Sequence, residues 1–294
     1  MTLKTSTEVP VERGRSLWQD ARHRLFRNRA AVASMGVLGF IVLAVVIGPW
    51  FSPWAFDEID WEHISVPPGL DHGHWFGTDS VGRDLFVRTL EGGRISLLVG
   101  LTATAVSLII GIAWGAAAGY LGGRIDGFMM RVVDVLYALP FLFFVIVLMV
   151  FFGRDILLIF VAIGAINWLD MARIVRGQTL ALKKRAFVEA AVVSGLTPTA
   201  VIRRHIVPNL LGVVAVYVTL TIPQVILVES FLSFLGLGVQ EPHTSWGALV
   251  NEGALEMESA PWSLLFPAAF LAVTLFCFNF IGDGLRDALD PRDR

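Results

Sequence analysis

Long apolar runs, not alternating ones, set the pattern of this chain. A helix needs about 20 mostly apolar residues to cross roughly 30 Å of hydrocarbon. Six stretches meet that length, running approximately from Ala30 to Phe51, Ile95 to Leu121, Val132 to Phe152, Ile156 to Ile174, Leu210 to Leu235 and Ser263 to Ile281. None shows the period-two alternation of a barrel strand, and lipid forces every backbone group to bond internally. The pattern therefore predicts an all-α membrane protein with six transmembrane helices. The chain divides into an N-terminal segment, 1–29, and a transmembrane domain, 30–294. Within the latter lie an outer loop from Ser52 to Arg94, an inner loop from Ala181 to Asn209 and an outer loop from Gly236 to Trp262. None of these loops is long enough to be an enzyme domain with its own core.

Basic residues orient the spans. With the N-terminus inside, 19 of the 23 Lys and Arg fall on inner segments, and only Arg83, Arg88, Arg94 and Arg154 fall outside. Both termini are thus expected in the cytoplasm. The first span is read as an uncleaved anchor, since its apolar run is too long for a signal peptide and no small-residue cleavage site follows Pro49-Trp50. Ahead of it, Leu17, Trp18, Ala21 and Leu25 recur at helical spacing opposite Gln19, Arg22, His23 and Arg27. That pattern fits an amphipathic helix lying on membrane lipid at the inner interface, or a basic flank that only enforces topology.

Composition agrees: 55% of residues are hydrophobic, 16% are charged, and mean hydropathy is +0.68. A near-balance of 23 basic and 25 acidic residues leaves no basic field for a nucleic-acid partner. The single cysteine, Cys277, excludes an internal disulfide framework and a cysteine-rich metal site.

A pump needs an energy source, yet the chain holds no glycine-rich phosphate loop ending in Lys-Ser or Lys-Thr, no His-Glu-x-x-His, and no Cys-x-x-Cys. No catalytic residue, cofactor site or metal site is expected. Asp71, His72 and His74 crowd into one outer loop and suggest a metal, but a solvated loop fits the spacing better.

Charges inside the spans are scarce, and such charges are costly and usually functional. Asp134 and Asp170 lie near the inner boundary, three residues from Arg131 and Arg173, and local ion pairs are expected there. Glu229, about four residues inside the outer end of the fifth span, has no basic neighbour. It lines a watery cavity or hydrogen-bonds across helices. Ala103, Ser107, Gly111, Gly115 and Gly119 repeat every four residues and form a flat ridge for close helix approach, static or sliding. Pro140, Pro223 and Pro267 should kink three spans, as cavity-shaping bends or as hinges.

The inner loop carries the strongest local signal. Ala186 to Val193 suits a short helix that Gly195 ends in the left-handed conformation. Thr197 then caps a second helix with Pro198 at its first position, and Pro208 stops it before the fifth span. Such a loop is stiff. It can transmit force to something docked beneath, with Phe187 as an apolar anchor, Glu189 as a charge, and Ala190 and Ala191 permitting close approach. A helical hairpin that caps the bundle without a partner is the alternative.

These residues resemble a known family. Glu189-Ala190-Ala191, then Gly195 after three residues, and Ile206-Val207-Pro208 after ten more are similar to the EAA loop of permease subunits in bacterial ATP-binding-cassette (ABC) importers. The likeness extends to Leu25-Phe26-Arg27-Asn28-Arg29, His74-Trp75-Phe76-Gly77-Thr78-Asp79 with Gly82-Arg83-Asp84, and Gly93-Arg94-Ile95-Ser96-Leu97. It also takes in Phe231 to Gly238 with Ser245-Trp246-Gly247, and Asn279 to Asp287. Together they cover nearly the whole chain from about Ser16 and resemble the C-type permeases of dipeptide and oligopeptide importers, the oligopeptide branch above all. Val207 departs from the Leu of the general pattern, a small apolar swap.

The resemblance implies a type I ABC importer permease fold in the bacterial inner membrane, and a set of partners. They are a homologous B-type permease, two cytosolic ATPases that bind ATP and Mg, and a periplasmic or lipid-anchored peptide-binding protein. The residues seated against an ATPase would be Phe187, Glu189, Ala190, Ala191, Gly195, Ile206 and Pro208. Dipeptide or nickel import within the same family remains an alternative. A self-sufficient secondary carrier would want more buried ionisable groups, and a structural scaffold would not need the inner loop.

Overall fold

The computed structural model describes residues 17–152 and 156–289, all helix and connecting loop. Arg154, the residues before Leu17 and those after Leu289 lie outside this description, as do the side chains of Leu17 and Trp18. The helices are α1 (Leu17–Arg27), α2 (Arg29–Ile47), α3 (Leu85–Leu121), α4 (Gly123–Tyr137), α5 (Phe141–Phe152), α6 (Ile156–Leu182), α7 (Ala186–Val193), α8 (Pro198–Val201), α9 (Val207–Phe234), α10 (Trp246–Leu255) and α11 (Trp262–Leu289). Among the described residues four helices are long and apolar enough to span a membrane alone, and five if α4 and α5 make one broken span.

Helix starts follow local chemistry. Asn28 caps α2 by accepting the Ala31 N–H at 3.2 Å, and Asp84 caps α3 by accepting that of Val87 at 2.8 Å. The second cap corrects the expected outer loop: α3 begins at Leu85, so residues 85–94 are already helical. The N-terminal amphipathic helix forms as α1. It packs on α11, burying Ala21 and placing Leu25 beside Gly284.

The prolines act unequally. Pro140 has no N–H for the preceding turn and disfavours helix at Leu139. The expected third span is therefore cut into α4 and α5, which meet at 85°. Pro223 and Pro267 lie inside continuous helices, α9 and α11. Pro208 does not stop its helix as expected. A π-helical turn over Ile202–Ile206, marked by the Val207 N–H donating to the Ile202 carbonyl, carries α8 into α9. The wider turn shifts the bonding pattern where Pro208 cannot donate.

The ridge on α3 meets α6, the most extensive helix pairing in the fold. Ala103, Ser107, Gly111, Gly115 and Gly119 are all buried. A Cβ at Gly115 would collide with the Ala172 carbonyl, so only glycine admits this approach. At the Leu121 end of α3, a core of Ala116, Tyr120, Met171, Val175, Val188, Ala191, Val201, Ile206 and Leu210 ties α3 and α6 to α7, α8 and α9.

Candidate functional site: the elbow, the polar face and the serine pocket

The elbow between α6 and α9 is held by backbone bonds. Leu196 N–H donates to the Ala191 carbonyl at 3.2 Å and Gly195 N–H to that of Val192 at 2.9 Å. This is a Schellman ending with Gly195 at φ +82°. No atom lies within 4 Å of a Cβ placed on Gly195, so the backbone angle alone demands glycine. Thr197 Oγ1 accepts from Ala200 N–H at 3.4 Å, and Pro198 occupies the first turn of α8. Lys183 Nζ donates to the Tyr120 carbonyl at 2.5 Å and sits over the Tyr120 ring, anchoring the elbow to α3.

The structure separates the seven expected contact residues. Phe187, Glu189, Ala190, Gly195 and Pro208 are exposed. Ala191 and Ile206 are buried in the core just described and support the elbow from within. Helical periodicity explains Ala191: it follows Val188 by three residues and shares its inward face. A residue overlooked in the sequence is Val193, 88% exposed at the end of α7, with Val192 half exposed beside it. Two large apolar side chains at a tight turn were the signal that was available.

A second feature lies between α6 and α9. A cavity of about 340 Å3 is lined by Asn167, Asp170, Arg173, Tyr217, Thr221 and Gln224, among others. Asp170 and Gln224 are exposed on these long, largely apolar helices. The expected local ion pairs do not form in this region. Arg173 instead crosses to Asp134 at 2.9 Å and stacks over Tyr137, because packing of α6 on α4 brings a better-oriented carboxylate than the one on its own helix. Arg176 grips Asp126 through two bonds of 2.5 and 2.7 Å.

Glu229 is fully buried and hydrogen-bonds across helices to α3, as in the second of its two sequence readings. Ser233 Oγ donates to it at 2.7 Å from the same helix, and Ser96 Oγ at 3.3 Å from α3. Ser245 Oγ, the cap of α10, lies 3.2 Å from Ser233 Oγ. Trp246 N–H donates to Ser96 Oγ at 3.1 Å, so the carboxylate is the centre of a hydroxyl cluster joining three helices.

The outer-loop expectation also changes. Asp71 and His72 do not join His74 as a potential ligand set; Asp60 and His63 do. Nor is the loop simply solvated, since His74 is 1% exposed between Asp60 and Asp84. Burial pushes the Asp60 carboxyl up, but hydrogen bonds from His63, the Glu62 N–H and His74 outweigh it and hold the group at about 2. Nearby, Arg88, 1% exposed, pairs with Glu252 at 2.8 Å, while Arg83 binds Asp79 and Glu241, each at 2.7 Å. Desolvation raises the Glu252 carboxyl although both arginines oppose it; Arg83 lowers that of Glu241.

Comparison with known proteins places this geometry in context. The family model described as "Binding-protein-dependent transport system inner membrane component" matches residues 107–294. The model of the "N-terminal TM domain of oligopeptide transport permease C" matches residues 16–68. The chain is 60% identical over 293 residues to the oligopeptide transport system permease protein OppC of Escherichia coli (strain K12), covering 100% of this chain and 97% of that protein. It is 59% identical over 287 residues to the OppC of Haemophilus influenzae, covering 98% and 92%. The dipeptide transport system permease protein DppC of Bacillus subtilis is 47% identical over 280 residues, covering 95% and 87%.

Proposed function

The chain belongs to the family of binding-protein-dependent transport system inner membrane components, and we propose that it is the C-type permease subunit of an ATP-driven oligopeptide importer. Its relatives are transport permease subunits, and it is a multi-pass membrane protein. The proposal adds six spans in the bacterial inner membrane with both termini cytoplasmic, the broken α4–α5 pair counting as the third and α6 as the fourth. Domain limits follow the sequence reading: an N-terminal segment over 1–29 and a permease domain over 30–294.

One observation carries the mechanism. The elbow turns Val188, Ala191, Val201 and Ile206 into the core while presenting Phe187, Glu189, Ala190 and Val193 outward. A stiff element with exposed apolar groups transmits displacement only if something docks on it. In this reading that something is one of two cytosolic ATPases, which bind ATP and Mg; the chain itself catalyses nothing. Closure of the ATPases pushes α7, and the push reaches α3, α6 and α9 through the shared core and the Lys183 anchor. The polar strip of Asn167, Asp170 and Gln224 cannot face lipid without large cost. It fits the wall of the translocation path, completed by a B-type permease, with a periplasmic or lipid-anchored binding protein delivering peptide.

The test is uptake in cells or proteoliposomes holding the whole transporter. Glu189→Lys and Gly195→Pro are expected to abolish ATP-dependent oligopeptide uptake while the subunit still inserts. Normal uptake in both variants refutes the coupling role. A dipeptide preference is the second reading, supported by the 47% identity to DppC; competition between peptides of different length separates the two.

A further inference from the structure

The loop at the Leu85 end of α3 holds a constellation that the transport reading does not use. We propose that Asp60, His63 and His74 form a site for a first-row divalent cation of zinc-like preference. His63 Nδ1 lies 2.8 Å and His74 Nε2 3.3 Å from the same oxygen, Asp60 Oδ2. All three donor atoms fall within 4.8 Å of one another. A tetrahedral ion held at about 2.0–2.2 Å from imidazole nitrogen and carboxylate oxygen sets its donors roughly 3.3 Å apart. The pairs at 2.8 and 3.3 Å already lie near that spacing, and the widest pair, within 4.8 Å, has to close by up to about 1.5 Å.

A separate feature aims one ligand. Asp84 is fixed as the cap of α3, its Oδ1 accepting from Val87 N–H, and its Oδ2 lies 2.9 Å from His74 Nδ1. Both side chains are 1% exposed, and Trp54 stacks on the His74 ring at 4.6 Å. A carboxylate holding one ring nitrogen keeps the proton there and turns the other nitrogen's lone pair outward, the usual support for a metal-bound histidine. The other nitrogen, His74 Nε2, faces Asp60 Oδ2 across 3.3 Å. A cation between the two would be bound by both. His63, 28% exposed, leaves the position reachable from water.

Two imidazoles and one carboxylate suit Zn2+, Co2+ or Ni2+ and disfavour Mg2+ or Ca2+, which take oxygen ligands. An ion here would tie the loop around residues 60–63 to the start of α3, beside the Arg83 and Arg88 ion pairs. The site does not depend on which peptide is carried, nor on the coupling role of the elbow.

The experiment uses the whole transporter, purified without a histidine tag, stripped with chelator and free of nucleotide. Titration with Co2+ is expected to give visible absorption of one bound equivalent that Zn2+ displaces. His63→Ala and Asp60→Asn should each lose that equivalent, and added Zn2+ should raise the melting temperature of the wild type but not of either variant. The wild type and His63→Ala should melt alike in chelator, since His63 is partly exposed. Absence of the Co2+ spectrum in the wild type overturns the site. Equal binding by both variants overturns it too.

Discussion

At the Leu121 end of α3 the elbow is closed by bonds between residues no more than five apart, among them Leu196 to Ala191 and Gly195 to Val192. At the Leu85 end the opposite holds. Arg88 finds Glu252, Arg83 finds Glu241, Trp262 Nε1 donates to the Thr78 carbonyl at 3.1 Å, and Ser80 pairs with Glu256, all across more than 150 positions of chain. Phe76 stacks on Phe266 at 4.0 Å in the same region. The elbow is stiff in its own right and offers apolar side chains outward. The other end is held by a clasp between two distant loops in addition to its own short-range bonds. Local closure suits a part that must move as a unit; a clasp suits a part that must keep two segments together.

Substitutions break this contrast in graded ways. Arg88→Leu should act most strongly, because it removes the buried cation that meets Glu252 at 2.8 Å and leaves Glu252 and Asp79 to share Arg83. A loss of about 3 kcal/mol, the lower end for breaking a buried pair, should appear as a lower melting temperature in detergent; an unchanged melt contradicts the clasp. Gly195→Ala should cost about 1–2 kcal/mol, the strain of a side chain in the left-handed region. Its effect should be confined to the elbow, so that peptide uptake falls more than thermal stability does. Equal losses in both measurements would mean that the elbow is not a separable unit. Glu241→Gln should do least. Its partner Arg83 keeps Asp79, and the carboxylate is 68% exposed, so the expected cost is below about 1 kcal/mol. A larger shift in melting temperature would place Glu241 inside the clasp instead of on its rim.

The same contrast explains what was legible beforehand. α7 forms over Ala186–Val193 with Gly195 left-handed, Thr197 as cap and Pro198 in the first turn, as local chemistry required. The ridge from Ala103 to Gly119 is equally a matter of periodicity, and it packs where small residues permit. Pro208 misled because a proline that stops a regular helix can be absorbed by a π turn, and only the packing of Val201, Ile206 and Leu210 into one core shows that it was. Pro140 breaks its span outright. Asp71, His72 and His74 looked like a cluster through adjacency, yet the groups facing His74 are Asp60 and Asp84, 14 and 10 positions away.

The amino-acid order by itself determined the membrane character, the helical class, the turn chemistry of the elbow and the glycine ridge. Each of these follows from forces acting within about one helical turn or along one uninterrupted apolar run. Only the tertiary structure decided which carboxylate each arginine meets, that Ser96 of α3 joins Ser233 on Glu229, and that an aspartate and two histidines converge in a loop. Those pairings join positions far apart along the chain, and the geometry that selects among many equally charged or equally polar candidates exists only after the helices have packed.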